Sequence, residues 1–581
     1  MAQRHNEATS VASFVLVRSL KIGLKKPTIQ LESLFYGTAT MPDLSAVTAL
    51  VIEANPNMRT QLRNMLGESG VDKVQLSVSA GAAVRKLRDA RFDLILCEYH
   101  IGDGQDGQHL LEDLRHNGII PLATLFIMVT GERQYEKVVS AAELAPNDYV
   151  LKPFAADTLH TRIVRAILKR DALLPVYKLI ESGDIPGALR ASIEGEREHP
   201  QYQLDFLRLR AELHISASEA DEAEKVYQKV LELRAIPWAR LGLAKALYMR
   251  QRYGEAEDLL TGLVEENDQF LDAYDWLART REAAGELAKA RDILARATAV
   301  SPHRVGRLRR LGAIALEMDD SHTAEAVLGE VVRKGKYSDF RDPDDHVWLM
   351  QAQIGNGKLE DAAATLRDLD RTMATTERGK LCTALSSAML HGKLGDDAKA
   401  KAAVESALTE SRRLGTVSLG LKQQLAKACF DHGMEAAGSE VVLDIMRTAD
   451  TPRAIENTRK MLDARGYSNL AQDLEKQVHH EVRALVATGA EKAKAGDFDG
   501  AVDEMLNAVG KMPNNVHVLF NAALALLRHI ENRGWSEQYA SQAQRLIDRV
   551  RRQDPNNARL PALKDFHTTL KAKFGIRDVK V

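Results

Sequence analysis

Two carboxylates and a hydroxyl stand where three short apolar runs of the N-terminal region end. Glu53, Glu98 and Thr130 follow the runs at residues 49–52, 93–97 and 125–129. Short apolar runs bounded by turn residues are typical of buried parallel strands, and a glycine-rich stretch follows Glu98. Carboxylates gathered at the end of such strands would be able to bind a cation or, once activated, to act as a nucleophile.

The segments around these residues alternate between apolar runs and helical spacing over residues 46–168. The predicted strands are 49–52, 74–78, 93–97, 125–129 and 148–151, and the predicted helices are 58–66, 82–90, 107–114, 135–144 and 156–168. Alternation of this kind predicts an α/β doubly wound parallel five-stranded sheet with right-handed crossovers. Ligands bind such a sheet at the carboxyl ends of its strands, so we expect the three polar residues to meet there.

This region, about a fifth of the chain, resembles the receiver domain of bacterial two-component response regulators, which has a flavodoxin-like fold. The resemblance implies a phosphoacceptor position at Glu98, an acidic pocket for magnesium at Glu53, and a switch hydroxyl at Thr130. It also implies a switch aromatic at Tyr149, a phosphoryl-binding lysine at Lys152, and a cis peptide bond before Pro153.

Two departures from the receiver pattern make phosphorylation improbable. Ala54 stands where the family has a second acid, so a magnesium ion would lose a ligand. Glu98 is one methylene longer than aspartate, and a misplacement of about 1 Å can slow a reaction on the order of 100-fold. We therefore predict no catalytic residue, no metal ligand and no resident cofactor, with weakened magnesium binding left open. Asp103 and Asp106 are alternative acceptors, although loop and helix-capping roles are favoured.

Two interpretations of Glu98 remain open at this point. In the first, its longer anionic arm pairs with Lys152, mimics the phosphorylated state and holds Thr130 and Tyr149 in the switched arrangement. In the second, Glu98 and Lys152 form a buried ion pair that only keeps the loops packed.

From residue 169 onward the pattern is helical only, with a period near 34 residues. Small residues recur in one phase at Ala188, Ala223, Ala256, Ala290, Ala324 and Ala362, with partners twelve residues earlier at Ala211, Ala244, Ala278 and Gly312. Gly489, Gly496, Ala501 and Pro513 repeat the frame near the C-terminus. This resembles the tetratricopeptide repeat (TPR), and it predicts an all-α TPR superhelix. The pattern is blurred between residues 340 and 470.

The repeat array is the expected output of the protein, because no basic recognition helix, phosphate-binding loop or nucleophile elbow occurs in the sequence. We therefore expect a protein that is not an enzyme. Inward positions of the first helices would include Arg208, Lys245, Tyr248, Asp275, Arg279 and Arg309. These side chains either bind an acidic segment or a C-terminal carboxylate, or are solvated and cross-helix paired charges.

Composition limits the number of domains, the partners and the cellular compartment that fit this chain. A chain of 581 residues with 45% hydrophobic and 28% charged residues predicts several globular domains. The net charge of −2 gives no global basic field for nucleic acid. Three distant cysteines predict a reducing cytoplasm rather than a disulfide framework, and no apolar run is long enough for a stable membrane span.

The predicted organisation has five segments. They are a disordered or mis-started extension (1–44), the receiver (45–170), a TPR array (171–340), divergent TPR-like helices (341–475) and C-terminal TPR repeats (476–581). A weak membrane-surface anchor is the alternative for the extension.

The favoured function is a non-enzymatic bacterial signal-transduction protein, a pseudo-receiver coupled to a TPR scaffold. One alternative is a phosphorelay response regulator with TPR output, controlled by a histidine kinase. Another is an adaptor or chaperone for a surface organelle or secretion assembly. Protein partners in the TPR groove and a receiver-mediated homodimer are the expected contacts.

Overall fold

A computed structural model describes residues 42–101, 106–131, 146–301, 304–335 and 341–576. The sequence-derived helix 135–144, Asp103, and the extension up to residue 41 lie outside these described residues. A parallel sheet with helices comes first in the chain, and helices alone follow it. Residues from Ser45 onward belong to one compact unit.

Five parallel strands form the sheet, in the order β2-β1-β3-β4-β5. Their bounds are β1 (Thr48–Ile52), β2 (Lys73–Ser77), β3 (Leu94–Glu98), β4 (Leu125–Thr130) and β5 (Asp148–Leu151). The apolar runs that predicted β1, β3 and β4 are buried throughout their central residues, as expected for strands covered on both faces. The predicted doubly wound α/β class is confirmed.

Three described helices accompany the strands. They are α1 (Pro56–Glu68), α2 (Ala80–Asp89) and α3 (Gly107–His116). The side chain of Asn55 caps α1 by accepting from the amide of Met58 at 3.2 Å, and Ser79 caps α2 through the amide of Ala82 at 3.3 Å. Each cap follows a strand closely, so the crossovers begin directly at the carboxyl edge of the sheet.

The helix that closes the sheet is longer than the sequence pattern predicts. We expect an end at residue 168, but α4 (Ala156–Glu181) continues for 26 residues. Its first half lies against α1, β4 and β5, whereas Leu173 and Val176 of its second half join the apolar cluster of the first repeat. Because both halves bury an apolar face, the helix remains continuous through Pro175. The predicted domain boundary at residue 170 falls inside it.

Helical hairpins follow α4 without interruption by strands in the described chain. The first hairpins use α5 (Ile185–Glu198), α6 (Gln203–Ser216), α7 (Ala220–Leu233), α8 (Pro237–Met249), α9 (Tyr253–Glu266), α10 (Leu271–Ala283), α11 (Leu287–Val300), α12 (Val305–Glu317) and α13 (Ser321–Gly335). The blurred zone contains α14 (Asp344–Gly355), α15 (Leu359–Met373), α16 (Glu377–Leu394), α17 (Asp397–Leu414), α18 (Leu419–Asp431), α19 (Glu435–Thr448) and α20 (Pro452–Asp463). The C-terminal helices are α21 (Ser468–Lys494), α22 (Phe498–Lys511), α23 (Val516–Arg533), α24 (Glu537–Gln553) and α25 (Leu560–Lys573).

The period of 34 residues is visible in the helix starts. The first helices of four successive hairpins begin at Gln203, Pro237, Leu271 and Val305. Later hairpins begin at less regular intervals, at Asp344, Glu377 and Leu419. The sequence period blurs there because helix and loop lengths vary, although the hairpin architecture itself continues. The helical part is TPR-like.

Small residues lie where the helices of the array approach closely. The alanines of the predicted phase, Ala188, Ala223, Ala256, Ala290, Ala324 and Ala362, are all fully buried. Gly242 of α8 faces the ring of Tyr227 of α7, and a Cβ atom at Gly242 would overlap that ring. The period is therefore a packing requirement, since a larger side chain at these positions would push two helices apart.

Among the described residues, no helix has the length and apolarity needed to cross a bilayer.

The substitution Gly242→Ala tests this packing. We expect it to destabilise the α7–α8 pair by about 1–3 kcal/mol, because a rigid ring has to move away. Gly329→Ala in α13 is the matched control, since a Cβ there meets nothing within 4 Å and alanine favours a helix by about 1 kcal/mol. Hydrogen exchange of the helix amides measures both changes, and equal protection in the two variants would contradict the packing argument.

Candidate functional site

The carboxyl edge of the sheet brings the sequence-predicted receiver residues together. Parallel pairing aligns Ile52 with Cys97, Glu98 with Val129, and Thr130 with Leu151. Glu53 and Lys152 directly follow the paired ends of β1 and β5. The expectation that Glu53, Glu98 and Thr130 share one edge therefore agrees with the strand register, and Lys152 joins them.

Lys152 forms ion pairs with both carboxylates. Its Nζ donates to Oε2 of Glu53 at 2.9 Å and to Oε2 of Glu98. The side chains are only 19% (Lys152), 4% (Glu53) and 12% (Glu98) exposed. We call these three residues the ion triad. Because little water reaches them, the ammonium group is the main compensation for two neighbouring negative charges.

The other carboxylate oxygens accept hydrogen bonds from the backbone. Oε1 of Glu53 accepts from the amide of Asn55 at 2.9 Å. Oε1 of Glu98 accepts from the amides of Tyr99 at 2.7 Å and His100 at 3.3 Å. Each of the four carboxylate oxygens therefore has a donor, and both side chains are fixed in orientation.

The charge state of Lys152 follows from these contacts. Burial alone would lower the pKa of its ammonium, but hydrogen bonds and charge from Glu98 and Glu53 outweigh burial and raise the pKa above the ordinary 10.5. The triad therefore keeps its cation at neutral pH.

A magnesium ion does not fit the residues that are present. The ion favours near-octahedral oxygen ligands, usually with more than one carboxylate free to bind. Here Ala54 offers no carboxylate, and the ammonium of Lys152 already lies between the carboxylates of Glu53 and Glu98. No grouping of three or more His, Cys, Asp or Glu side chains in the described ranges is arranged to hold a metal.

The described residues on either side of positions 102–105 pack tightly at the end of β3. The amide of Gly107 donates to the carbonyl of Tyr99 at 2.7 Å, and a Cβ at Gly107 would lie 2.6 Å from the carbonyl oxygen of Glu98. Sequence analysis placed this glycine at the start of the predicted helix 107–114 and gave it no packing role. Asp106 directly precedes α3, and its carbonyl accepts from the amide of Leu110 at 3.1 Å, whereas Asp103 lies outside the described residues.

Cys97 lies beside Gly107, and its environment favours the protonated thiol. Burial, then the charges of Glu98, Asp106 and Glu53, raise its pKa well above the ordinary value. The Sγ atom donates to the carbonyl of Glu98 at 3.3 Å. Cys97 therefore supports the end of β3 at Glu98 as a small buried donor and is a poor nucleophile.

The switch residues occupy the predicted places. Thr130 ends β4 and is fully buried, and Tyr149 of β5 packs against the cluster that contains Cys97 and Met128. The Lys152–Pro153 peptide bond is cis, as the receiver resemblance implies. The assignment of switch roles to these residues stays a prediction.

The candidate groove residues form contacts within the array. Arg208 stacks over Trp238 at 5.1 Å, while Lys245 and Arg279 stack over Trp276 at 5.2 and 4.8 Å. The rings of Tyr248 and Trp276 lie 5.6 Å apart. Arg309 of α12 forms two bonds of 2.7 Å to the carboxylate of Asp345 of α14. These contacts agree with the alternative in which the charges pair across helices. A ligand-binding role for these residues stays a prediction.

Sequence analysis missed two contacts that support the site. Arg59 of α1 donates to the carbonyl oxygens of Glu53 and Ala54 at 2.7 and 3.0 Å, fixing the loop after β1. Glu112 of α3 lies 3.4 Å from Arg304, at the start of α12 in the array. Neither contact could be predicted from the sequence, because no repeating pattern connects the arginine with its partner.

Comparison with known proteins agrees with the fold. Residues 49–164 match the family model described as the response regulator receiver domain. The chemotaxis protein CheY-3 of Vibrio cholerae serotype O1 is 26% identical over 114 residues, which are 20% of this chain and 86% of that protein. The chemotaxis protein CheY of Pseudomonas aeruginosa is also 26% identical over 114 residues, covering 20% of this chain and 90% of that protein.

Solved structures of repeat proteins match the helical region at low identity. A tetratricopeptide repeat protein from Parabacteroides merdae is 13% identical with a TM-score of 0.31, over 52% of this chain and 98% of that chain. The C-terminal part of a TPR repeat-containing protein from Cytophaga hutchinsonii is 15% identical with a TM-score of 0.31, over 43% of this chain and 98% of that chain.

The chain therefore carries a response regulator receiver domain at residues 49–164, followed by TPR-like helical repeats. The receiver domain places the chain among signal-transduction proteins. Both families are generally non-enzymatic.

Removing the cation of the ion triad is expected to destabilise the receiver. In Lys152→Met, two buried carboxylates lose their partner, which costs about 3 kcal/mol. Lys225→Met is the control, because its pair with Glu222 is 68% and 51% exposed and an ion pair so open to water adds little stability. Hydrogen exchange of β1 and β3 amides in the full chain measures the change, and equal protection in both variants would refute the structural role of Lys152.

The same variant gives a pH test. The pKa of Lys152 is raised on folding, so the stabilisation is complete below the unfolded value of about 10.4 and is lost as pH rises through the folded value. We expect the stability difference between the original chain and Lys152→Met to stay constant from neutral pH to about 9.5 and to shrink above about 10.5. A difference that already shrinks near neutral pH would contradict this charge assignment.

Proposed function

We propose that the receiver of this protein is a pseudo-receiver, a docking module that works without phosphorylation and forms a fixed part of a TPR scaffold. The ion triad carries the proposal. Lys152 binds both Glu53 and Glu98, so the cation that would meet an incoming phosphoryl group already holds the acceptor position in place.

The chemistry of Glu98 supports this interpretation. Carboxylates are weak nucleophiles and depend on position and on a metal for activation. One oxygen of Glu98 is bound by Lys152 and the other by two backbone amides. An attack would have to break an ion pair and displace amide donors, with no second acid at Ala54 to bring a metal.

Of the two interpretations of Glu98, we propose the structural ion pair. Mimicry of the phosphorylated state depends on Glu98 and Lys152 acting on the switch residues. The described side-chain contacts of Lys152 go to Glu98 and Glu53, and Glu98 is held by the amides of Tyr99 and His100. Lys152 meets Thr130 through the backbone, where its amide donates to the carbonyl of Thr130 at 2.8 Å. The triad thus joins the loops after β1, β3 and β5 and holds the edge of the sheet closed.

The receiver is joined to the scaffold at several points. Helix α4 is shared by both parts. The amide of Leu122 in the receiver donates to Glu181 at the end of α4 at 2.9 Å. Glu112 reaches Arg304, whose guanidinium also binds Asp272 and Asp275 at 3.0 and 2.9 Å. We propose that the receiver positions the first repeats, and that protein partners bind the array.

The proposed setting is the bacterial cytoplasm. Cys97, Cys382 and Cys429 are buried free thiols, which a reducing compartment preserves. This function requires no histidine kinase, although one could still bind the receiver surface.

Intact-mass spectrometry of the full chain after incubation with acetyl phosphate and magnesium tests the proposal. We expect no phosphoryl adduct on the original chain, because its acceptor is held and its metal site is incomplete. The double variant Glu98→Asp with Ala54→Asp is expected to gain an adduct, since it restores the second acid and the shorter arm.

Fragment sequencing then locates any phosphoryl group. An adduct at Glu98, Asp103 or Asp106 of the original chain would refute the pseudo-receiver and favour phosphorylation control. Glu68→Asp with Gly67→Asp is a matched control for the added acid, placed at the exposed end of α1.

A further inference from the structure

The hairpin turns of the early repeats contact helices from the far end of the chain. Arg453, at the start of α20, binds Glu317 at 2.7 Å and Glu282 at 3.2 Å. Asn457 also donates to Glu317 at 2.9 Å. Glu282 and Glu317 lie at the ends of α10 and α12, next to the turns of their hairpins. These contacts span 136 to 171 residues of sequence.

A second group of contacts joins still more distant segments. Arg551 of α24 lies 3.5 Å from Glu219, in the turn between α6 and α7. Asn556, after α24, donates to Gln251 in the turn between α8 and α9 at 3.4 Å, across 305 residues. Glu219 and Gln251 lie within two of the four consecutive hairpin turns from α6 to α13, and Glu282 and Glu317 lie beside the other two. We call this set of contacts the closure seam.

The backbone of these turns departs from the rest of the array. Ser218, Gln251 and Asp319 adopt left-handed φ angles of 59°, 60° and 57°, and they are the non-glycine residues with positive φ in the described chain. The other hairpins place glycine at this position, namely Gly183, Gly285, Gly357, Gly395, Gly433, Gly466 and Gly496. A side chain in this conformation is unfavourable, and here it occurs at three turns of the closure seam.

The closure seam is polar. Within the described chain, the buried apolar clusters follow neighbouring helices, and none of them combines residues of α6–α13 with residues of α20–α25. The two ends are therefore held together by charge and hydrogen bonds at partly exposed positions. Such pairs are individually weak and are screened by salt.

We propose that the closure seam is a reversible clasp, which holds helices α20 and α24 against the hairpin turns and sets how far the array opens. The helices on each side are packed by their own apolar clusters, so the contacts can separate without unfolding either side. Opening exposes Glu219, Glu282 and Glu317 and frees Arg453. A partner then meets either a closed or an open array, whether or not Glu98 accepts phosphate.

Small-angle X-ray scattering of the full chain tests the clasp. We expect the radius of gyration to rise between about 0.05 and 0.5 M salt, because the screening length falls well below 10 Å over this range. Arg453→Glu with Asn457→Ala should give the larger radius already at low salt, since the new carboxylate repels Glu282 and Glu317. Arg453→Lys keeps the charge and should retain the closed radius at low salt.

Controls separate opening from unfolding and from self-association. Arg412→Glu reverses one charge of a pair with Glu440 between α17 and α19, where both side chains are about two-thirds exposed, and it should leave the radius unchanged. Circular dichroism should show equal helicity in all variants, and light scattering should show the mass of one chain. The clasp is refuted if the radius is the same in all variants at both salt concentrations. It is equally refuted if the larger radius accompanies lost helicity or doubled mass.

Discussion

One ammonium group compensates two buried carboxylates at the carboxyl edge of the sheet, and the arrangement of that edge depends on it. Without Lys152, Glu53 and Glu98 would face each other with little water to separate their charges. With it, the loops after β1, β3 and β5 are held to a common point. Gly107 packs closely against the carbonyl of Glu98, and the thiol of Cys97 donates to the same carbonyl, so both support this strand end. The carboxyl edge of the sheet is therefore closed by ion pairs among its own side chains.

In the array, ion pairs join the first helices of successive hairpins. Arg307 of α12 has a side chain only 1% exposed and binds Asp275 of α10 through two nitrogens at 2.8 and 3.1 Å. Arg309 repeats the motif toward Asp345, and Arg378 of α16 binds Asp344 at 2.7 Å. Small apolar residues set the spacing within each hairpin, while these bidentate pairs fix neighbouring hairpins relative to each other.

Strands and helical hairpins could be predicted from the sequence because their buried residues recur at regular intervals. Features without such a pattern could not be predicted. Apolar runs predicted the strands, and buried alanines such as Ala223 and Ala256 predicted the hairpins, because burial imposes a period on the chain. Glu98 could be found because it stands at the end of a strand, and Lys152 because of the resemblance to receiver domains. The continuity of α4, the contact between Glu112 and Arg304, and the closure seam could not be found, since long-range polar contacts leave no periodic trace.

The continuous helix α4 fixes the rotation of the receiver relative to the repeats. An α-helix turns about 100° per residue and rises about 1.5 Å, so the 26 residues of α4 act as a rod of about 39 Å. One residue added between its receiver half and its repeat half would rotate the sheet by about 100° around the axis of α4. Glu112 would then point away from Arg304. The length of this helix, counted in single residues, thus sets which face of the receiver meets the repeats.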